Sequence, residues 1–179
     1  MLFRSTTLRA LRTVADALQA ELTALGPQKN ADLDVLVQGS MAKRTLIQRF
    51  RQGRCVLVGS QSFWEGIDVP GDALQCVIID KLPFPPPNDP LVEARVRQLK
   101  SQGRDAFNDY FVAEAAVSLK QGAGRLIRTE SDQGLLVVCD TRLLSARYGA
   151  RLLNALPPMT PLESGDQALD WLRRLAAEH

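Results

Sequence analysis

The sequence predicts an α/β fold: an open parallel β-sheet with helices on both faces, three layers in all. Short apolar runs alternate along the chain with stretches whose apolar residues recur at helical spacing, the pattern of successive strand, helix and strand units. The runs Cys55–Val58 and Leu74–Asp80 are nearly continuous in apolar residues, as strands covered on two faces are. With 179 residues, 45% of them apolar, the chain is one domain-sized unit able to bury such a core.

Leu2-Phe3 reads as a scrap of strand. A domain does not normally begin on so short an element, so the chain is expected to be cut from a longer one, with Met1 a start codon or a stand-in for native sequence. Ser5, Thr6 and Thr7 are helix-cap candidates, and Leu8, Leu11, Val14, Leu18, Leu22 and Leu25 then follow at helical spacing until Gly26-Pro27. Leu33–Val37 reads as the second strand. Leu46, Ile47 and Phe50 line a short basic helix that Gly53 stops, before the strands at Cys55–Val58 and Leu74–Asp80. The prolines of Lys81–Pro90 enforce an extended connector until Leu91 begins a helix. Phe107, Phe111, Ala115 and Leu119 belong to one long amphipathic pattern, Gly134–Asp140 is the fifth strand, and Ser164–Ala177 a terminal helix within a tail over residues 159–179.

No apolar run approaches the roughly 20 residues of a membrane span, and Met1-Leu2-Phe3-Arg4 lacks the order of a signal peptide, so a cytoplasmic protein without a membrane partner is expected. A formal charge of +2 does not mark a nucleic-acid binder. Its distribution is uneven, with Arg4, Arg9 and Arg12 opening the chain and Lys43, Arg44, Arg49, Arg51 and Arg54 crowding one helix; such clusters are ordinarily solvated helix faces. Cys55, Cys76 and Cys139 sit in strand-like apolar runs and read as small core residues, without the clustered spacing of an iron–sulfur ligand set.

Two polar stretches carry the chemistry. Gln121-Gly122-Ala123-Gly124-Arg125-Leu126-Ile127-Arg128 closes the long helical pattern and sets two arginines three residues apart, on one helix face if the helix continues. Gly122 and Gly124 cost about 1 kcal/mol each in helix propensity, which asks for a close approach of the backbone to a phosphate or a neighbouring domain. A plain helix end solvated by arginine fits the same residues. Upstream, Gly59–Gly71 is a Gly/Ser/acid loop that begins where the run Cys55–Val58 stops, the place where open α/β sheets keep ligand sites.

In this order and at this separation the stretches resemble motifs V and VI of superfamily 2 helicases, in the form of the DinG/XPD-like branch: Ser62-Phe63-x-Glu65-Gly66-x-Asp68, then Gln121-Gly122-x-Gly124-Arg125-Leu126-Ile127-Arg128. Lys81-Leu82-Pro83-Phe84, Asp140-Thr141-Arg142, Tyr148-Gly149 and Leu156-Pro157-Pro158 resemble the same branch, whereas Ala113 stands where many relatives carry a proline near a helix start. The resemblance implies the second RecA-like domain of a two-domain DNA helicase motor over residues 1–179, working on single-stranded DNA against its own N-terminal RecA-like domain. ATP would bind between the two domains. The sequence holds no Gly-x-x-x-x-Gly-Lys-Ser/Thr loop and no acidic box, so the grip on the phosphates and Mg²⁺ would come from the other half, as would the branch's iron–sulfur cluster.

By the same resemblance Arg128 is an arginine finger on the γ-phosphate, Arg125 supports that phosphate or the domain interface, and Gln121 positions the attacking water or ties the motif to the other domain. The nucleotide side would further engage Glu65 and Gly66, which shape a turn, Asp68, which bonds the ribose or holds a motif VI arginine, and the open backbone of Gly124. Ser60 and Gln61 would face the DNA backbone, and Ser5 and Thr6 would offer hydroxyls at a helix N-terminus, a natural phosphate seat. Two other classes stay open: a free-standing single-stranded nucleic-acid-binding module without ATPase activity, and a Rossmann-like enzyme using Gly122-Ala123-Gly124. The latter is disfavoured because a dinucleotide fingerprint follows a strand and opens a helix.

Overall fold

The computed structural model describes residues 1–5, 7–26, 33–60, 63, 74–127 and 132–177. Five strands, β1 (Leu2–Ser5), β2 (Asp34–Val37), β3 (Cys55–Ser60), β4 (Cys76–Ile79) and β5 (Leu135–Val138), form one sheet in the order β2-β3-β1-β4-β5. Every pairing is parallel, so all five C-terminal ends lie along one edge. The short apolar start thus proves to be the central strand, running to Ser5 and hydrogen-bonded on both sides.

Alternation along β3 divides the core. Val56 and Val58 face α1 (Leu8–Leu25), packing with Leu11 and Ala15. Cys55 and Leu57 belong to the larger cluster on the other face, filled by Leu46 and Phe50 of α2 (Lys43–Arg51) and by Val112, Ala115 and Leu119 of α4 (Val112–Ala123). Helices therefore cover both faces, as the apolar runs require. Thr7 is the residue that caps α1, its side chain accepting from the Ala10 amide at 3.1 Å. Gly53, at φ 82°, follows the end of α2 in the left-handed conformation that glycine adopts without penalty.

The proline-rich connector runs to α3 (Pro90–Ser101), which starts with proline in its first turn and Asp89 as cap. The amphipathic pattern after it opens on a π-helical turn, Phe107–Phe111, that continues into α4, so Ala113 lies inside a helix already begun. After β5 come α5 (Arg142–Ser145), α6 (Gly149–Ala155) and α7 (Gly165–Ala177). Cys55 and Cys76 are buried as expected; Cys139, one residue past the edge strand β5, is exposed instead. Among the described residues no helix is long and apolar enough to cross a membrane.

Candidate functional site

The parallel register sets Ser5 and Ser60 side by side at the ends of β1 and β3. Ser5 is fully buried, and its hydroxyl reaches the Thr7 carbonyl at 3.1 Å and the Asp80 carboxylate at 3.2 Å. Asp80 follows β4, and its amide donates to the Arg4 carbonyl at 3.1 Å, so three neighbouring segments are laced together at one edge. Ser60 is half-buried; its amide donates to Gln38 Oε1 at 2.7 Å, while the Gln38 amide donates to the Val58 carbonyl at 2.9 Å. Gln38 opens the turn after β2, so the edge carries polar groups from four strands. Beyond Ser60, Phe63 inserts into the core with Lys43 Nζ, at the start of α2, 5.1 Å from its ring centre.

The C-terminal end of α4 rests on this edge. Gly122 lies against Arg4 and Ile79: a Cβ there would stand 3.2 Å from Arg4 Nη1 and 3.5 Å from Ile79 Cδ1. Arg4 was expected on a solvated helix face, but it projects from the central strand, is only 5% exposed, and donates from Nη1 to the Ser118 carbonyl at 3.3 Å. Its cation faces the last turn of the helix, where the backbone dipole favours positive charge. The close approach at Gly122 is therefore to a guanidinium of the same domain. Gly124 answers to its own helix, since a Cβ there would meet the Lys120 carbonyl at 3.2 Å.

The helix stops at Ala123, and 124–126 form a turn in which the Leu126 amide donates to the Ala123 carbonyl at 3.0 Å and the Leu126 side chain is buried. Arg125 consequently stands past the helix end, half-buried, on the turn rather than on the helix. Gln121 and Gly124 beside it are exposed. Arg128, Glu65, Gly66, Asp68, Gln61 and Thr6 lie outside the described residues.

A second polar assembly joins the ends of β4 and β5. Asp140 accepts from the buried Leu82 amide at 2.9 Å, from the Arg142 amide at 3.1 Å, and from the Arg142 guanidinium at 2.9 and 2.7 Å. The Arg142 guanidinium holds the Asp140 carboxyl well below the usual carboxylate range, helped by the two backbone amides and opposed by burial. Arg142 also lies over the Phe84 ring, 5.7 Å from its centre. Sequence reasoning missed Arg4, Gln38 and Asp80 as parts of the site. A charge between apolar residues of a strand was the available signal for Arg4, and the polar end of an apolar run was that for Asp80.

The chain matches the family model for the helicase C-terminal domain over residues 1–159. It is 46% identical over 149 residues to the ATP-dependent DNA helicase YoaA of Escherichia coli, covering 83% of this chain and 22% of that protein. It is 38% identical over 170 residues to the ATP-dependent helicase DinG of Mycobacterium tuberculosis, covering 94% and 24%. The solved structure of Xpd4 from S. tokodaii superposes with a TM-score of 0.54 at 18% identity over 89% of this chain and 30% of that one, which shows the fold. The chain thus spans about a quarter of the length of the curated relatives it matches.

Proposed function

The chain belongs to the helicase C-terminal domain family, and we propose that it acts as the second RecA-like motor domain of an ATP-dependent DNA helicase. Its part is to present motif V and motif VI groups to an ATP site completed by its own N-terminal domain. The observation that supports this most is the seating of the Gln121–Arg125 segment, through Gly122, on the strand ends that also carry Ser5, Ser60 and Asp80. One edge of one sheet then serves both the nucleotide and the DNA.

The donors fit that division. Exposed Gln121, half-buried Arg125 and the uncovered backbone at Gly124 offer donor and cationic groups suited to phosphoryl oxygens, with Arg128 three residues on. Magnesium and the grip on the β- and γ-phosphates are supplied by groups absent from this sequence. Arg128 meets negative charge that grows in the transition state, which arginine's planar, permanently charged fork suits better than a lysine. Arg125 braces the same phosphate or the domain interface, Gln121 orients water or ties the motif to the other domain, Glu65 and Gly66 shape the nucleotide-side turn, and Asp68 bonds the ribose or holds a motif VI arginine. Ser60 and Gln61 face the DNA backbone together with Thr6, and Ser5, whose hydroxyl is buried, acts by holding Asp80 and the strand ends. Contacts to backbone rather than base edges suit a motor that steps over any sequence.

The test is made in the whole protein that carries this chain. Arg128→Ala lowers ATP turnover by roughly 10³- to 10⁵-fold with nucleotide and DNA binding nearly intact, and Arg128→Lys restores little. Turnover within a factor of about three of the unmutated protein would return Arg128 to the role of a solvated surface residue.

A further inference from the structure

Away from the site described above, the π-helical turn and the start of α6 line an open cavity of about 470 Å³, walled by Phe107, Asn108, Arg147, Tyr148 and Arg151. We propose that this cavity is a subsite for one base and an adjoining phosphate of single-stranded DNA, a choice of ligand that rests on the helicase-domain reading. The volume lies within the range of roughly 300–1,000 Å³ over which proteins hold small planar ligands.

The walls supply both halves of such a ligand's chemistry. Phe107 is 45% exposed, yet its ring is held in place by Phe84 behind it (centres 6.0 Å apart, stacked), by Phe111 (6.3 Å) and by the edge of Tyr148 (5.5 Å). Phe84 also meets Tyr148 edge-on at 5.5 Å, so the two rings that face the cavity share one fixed support. An exposed but immobilised aromatic face is what a base needs for stacking, and it accepts any base. Arg147 and Arg151 are exposed beside it, and none of the five lining residues is acidic.

The carboxylates of the adjoining segments are engaged. Asp105 accepts from the Phe107 and Asn108 amides and from the Asn108 side chain, Asp109 pairs with Arg104 at 2.9 Å, and Asp140 is held by Arg142. Arg147 and Arg151 thus bring two positive charges to the cavity, which suits a phosphodiester better than an uncharged partner.

The backbone gives an independent reason to expect a ligand here. Phe107–Phe111 is wound as a π turn, with the Val112 amide bonded to the Phe107 carbonyl, a form that is rare and recurs at functional sites. Within that turn the Asn108 carbonyl accepts from Arg151 Nη1 at 2.8 Å, so the irregularity also fixes one of the two cations. Arg147, Tyr148 and Arg151 follow β5 and the supporting Phe84 follows β4, and the ends of those two strands are tied together by the bond from the Leu82 amide to Asp140.

Anisotropy with a labelled oligo-dT and with an abasic strand of equal length separates stacking from charge in the whole protein. Phe107→Leu and Tyr148→Leu each lower the ratio of dT to abasic affinity by roughly five- to 150-fold, the loss of one stacked base, with the abasic affinity kept. Arg147→Gln, at an exposed position, weakens both strands alike and reduces the salt slope by about one. Because Tyr148→Leu disturbs a packed ring, photocrosslinking of the unmutated protein to an iododeoxyuridine strand supplies a readout free of folding effects, with adducts expected at Phe107 or Tyr148. An unchanged ratio in the Phe107→Leu protein, adducts confined to other segments, or burial of these rings by the rest of the protein overturns the subsite. If Arg128→Ala still abolishes turnover in that case, the motor reading stands alone; adducts at Tyr148 with turnover insensitive to Arg128→Ala would leave a DNA-binding surface without the motor.

Discussion

Replacing Gly122 with alanine tests how the arginine-bearing segment is seated. In a helix that substitution normally stabilises by up to about 1 kcal/mol. Here the new Cβ would stand 3.2 Å from Arg4 Nη1, tighter than a relaxed contact, while Ile79 Cδ1 at 3.5 Å tolerates it. The guanidinium is buried and engaged with the Ser118 carbonyl, so giving way by a few tenths of an ångström weakens a hydrogen bond from a charged donor, a class that contributes about 1.5–3 kcal/mol. Clash and propensity together predict a net loss of about 1 kcal/mol, or a fall in Tm of roughly 2–4 °C for a domain of this size.

Arg4→Met removes the obstructing group and keeps an unbranched apolar stem, so Gly122→Ala in that background should become neutral or stabilising. Urea unfolding of the four proteins closes a double-mutant cycle, with a coupling of about 1–3 kcal/mol expected. The single effect of Arg4→Met has either sign, because a buried ion costs desolvation as well as giving bonds; the coupling is independent of it. Gly122→Ala proteins as stable as their parents in both backgrounds, with coupling below about 0.5 kcal/mol, would refute the seating described here.

Asp140→Asn should be destabilising at neutral pH by about 1–3 kcal/mol, since the Leu82 amide and the Arg142 fork lose a charged acceptor. The folded carboxyl titrates below its unfolded value of about 3.9, so this stabilisation is complete above that value and fades as pH falls toward the folded one; urea midpoints of the two proteins should converge in acid. Iodoacetamide followed by mass spectrometry should modify exposed Cys139 in the native protein, slowly because partial burial and Asp80 raise its pKa. Buried Cys55 and Cys76 should react only on unfolding, and equal labelling of all three under native conditions would contradict the packing.

Four strands were legible because a strand covered on two faces must be apolar throughout, and Cys55–Val58 and Leu74–Ile79 have few other uses. β1 was under-read because Arg4 interrupts its apolar run, and only the strand order, with β1 at the centre, explains why that arginine is buried. The bonds from Ser60 to Gln38 and from Ser5 to Asp80 span 22 and 75 residues and follow from sheet register, which no local pattern encodes. Arg125 was placed on a helix because the spacing continues through it. Leu126 overrides that continuation by turning into the core, a tertiary gain that outweighs the cost of ending the helix.

That early stop matters for how the site is built. A residue on a regular helix inherits the helix's position rigidly, whereas Arg125 is carried on a turn with a fixed support on each side: Gly122 on Arg4 and Ile79 before it, and buried Leu126 after it. Both supports belong to the sheet's own core, and the first is made by the strand that ends in Ser5, next to Ser60. A shift of β1 relative to α4 therefore acts on the Arg4 contact directly, and the tight approach at Gly122 leaves little slack to absorb it. If the strand ends carry DNA and the turn carries a nucleotide-facing Arg125, the two are connected through one buried guanidinium and one glycine.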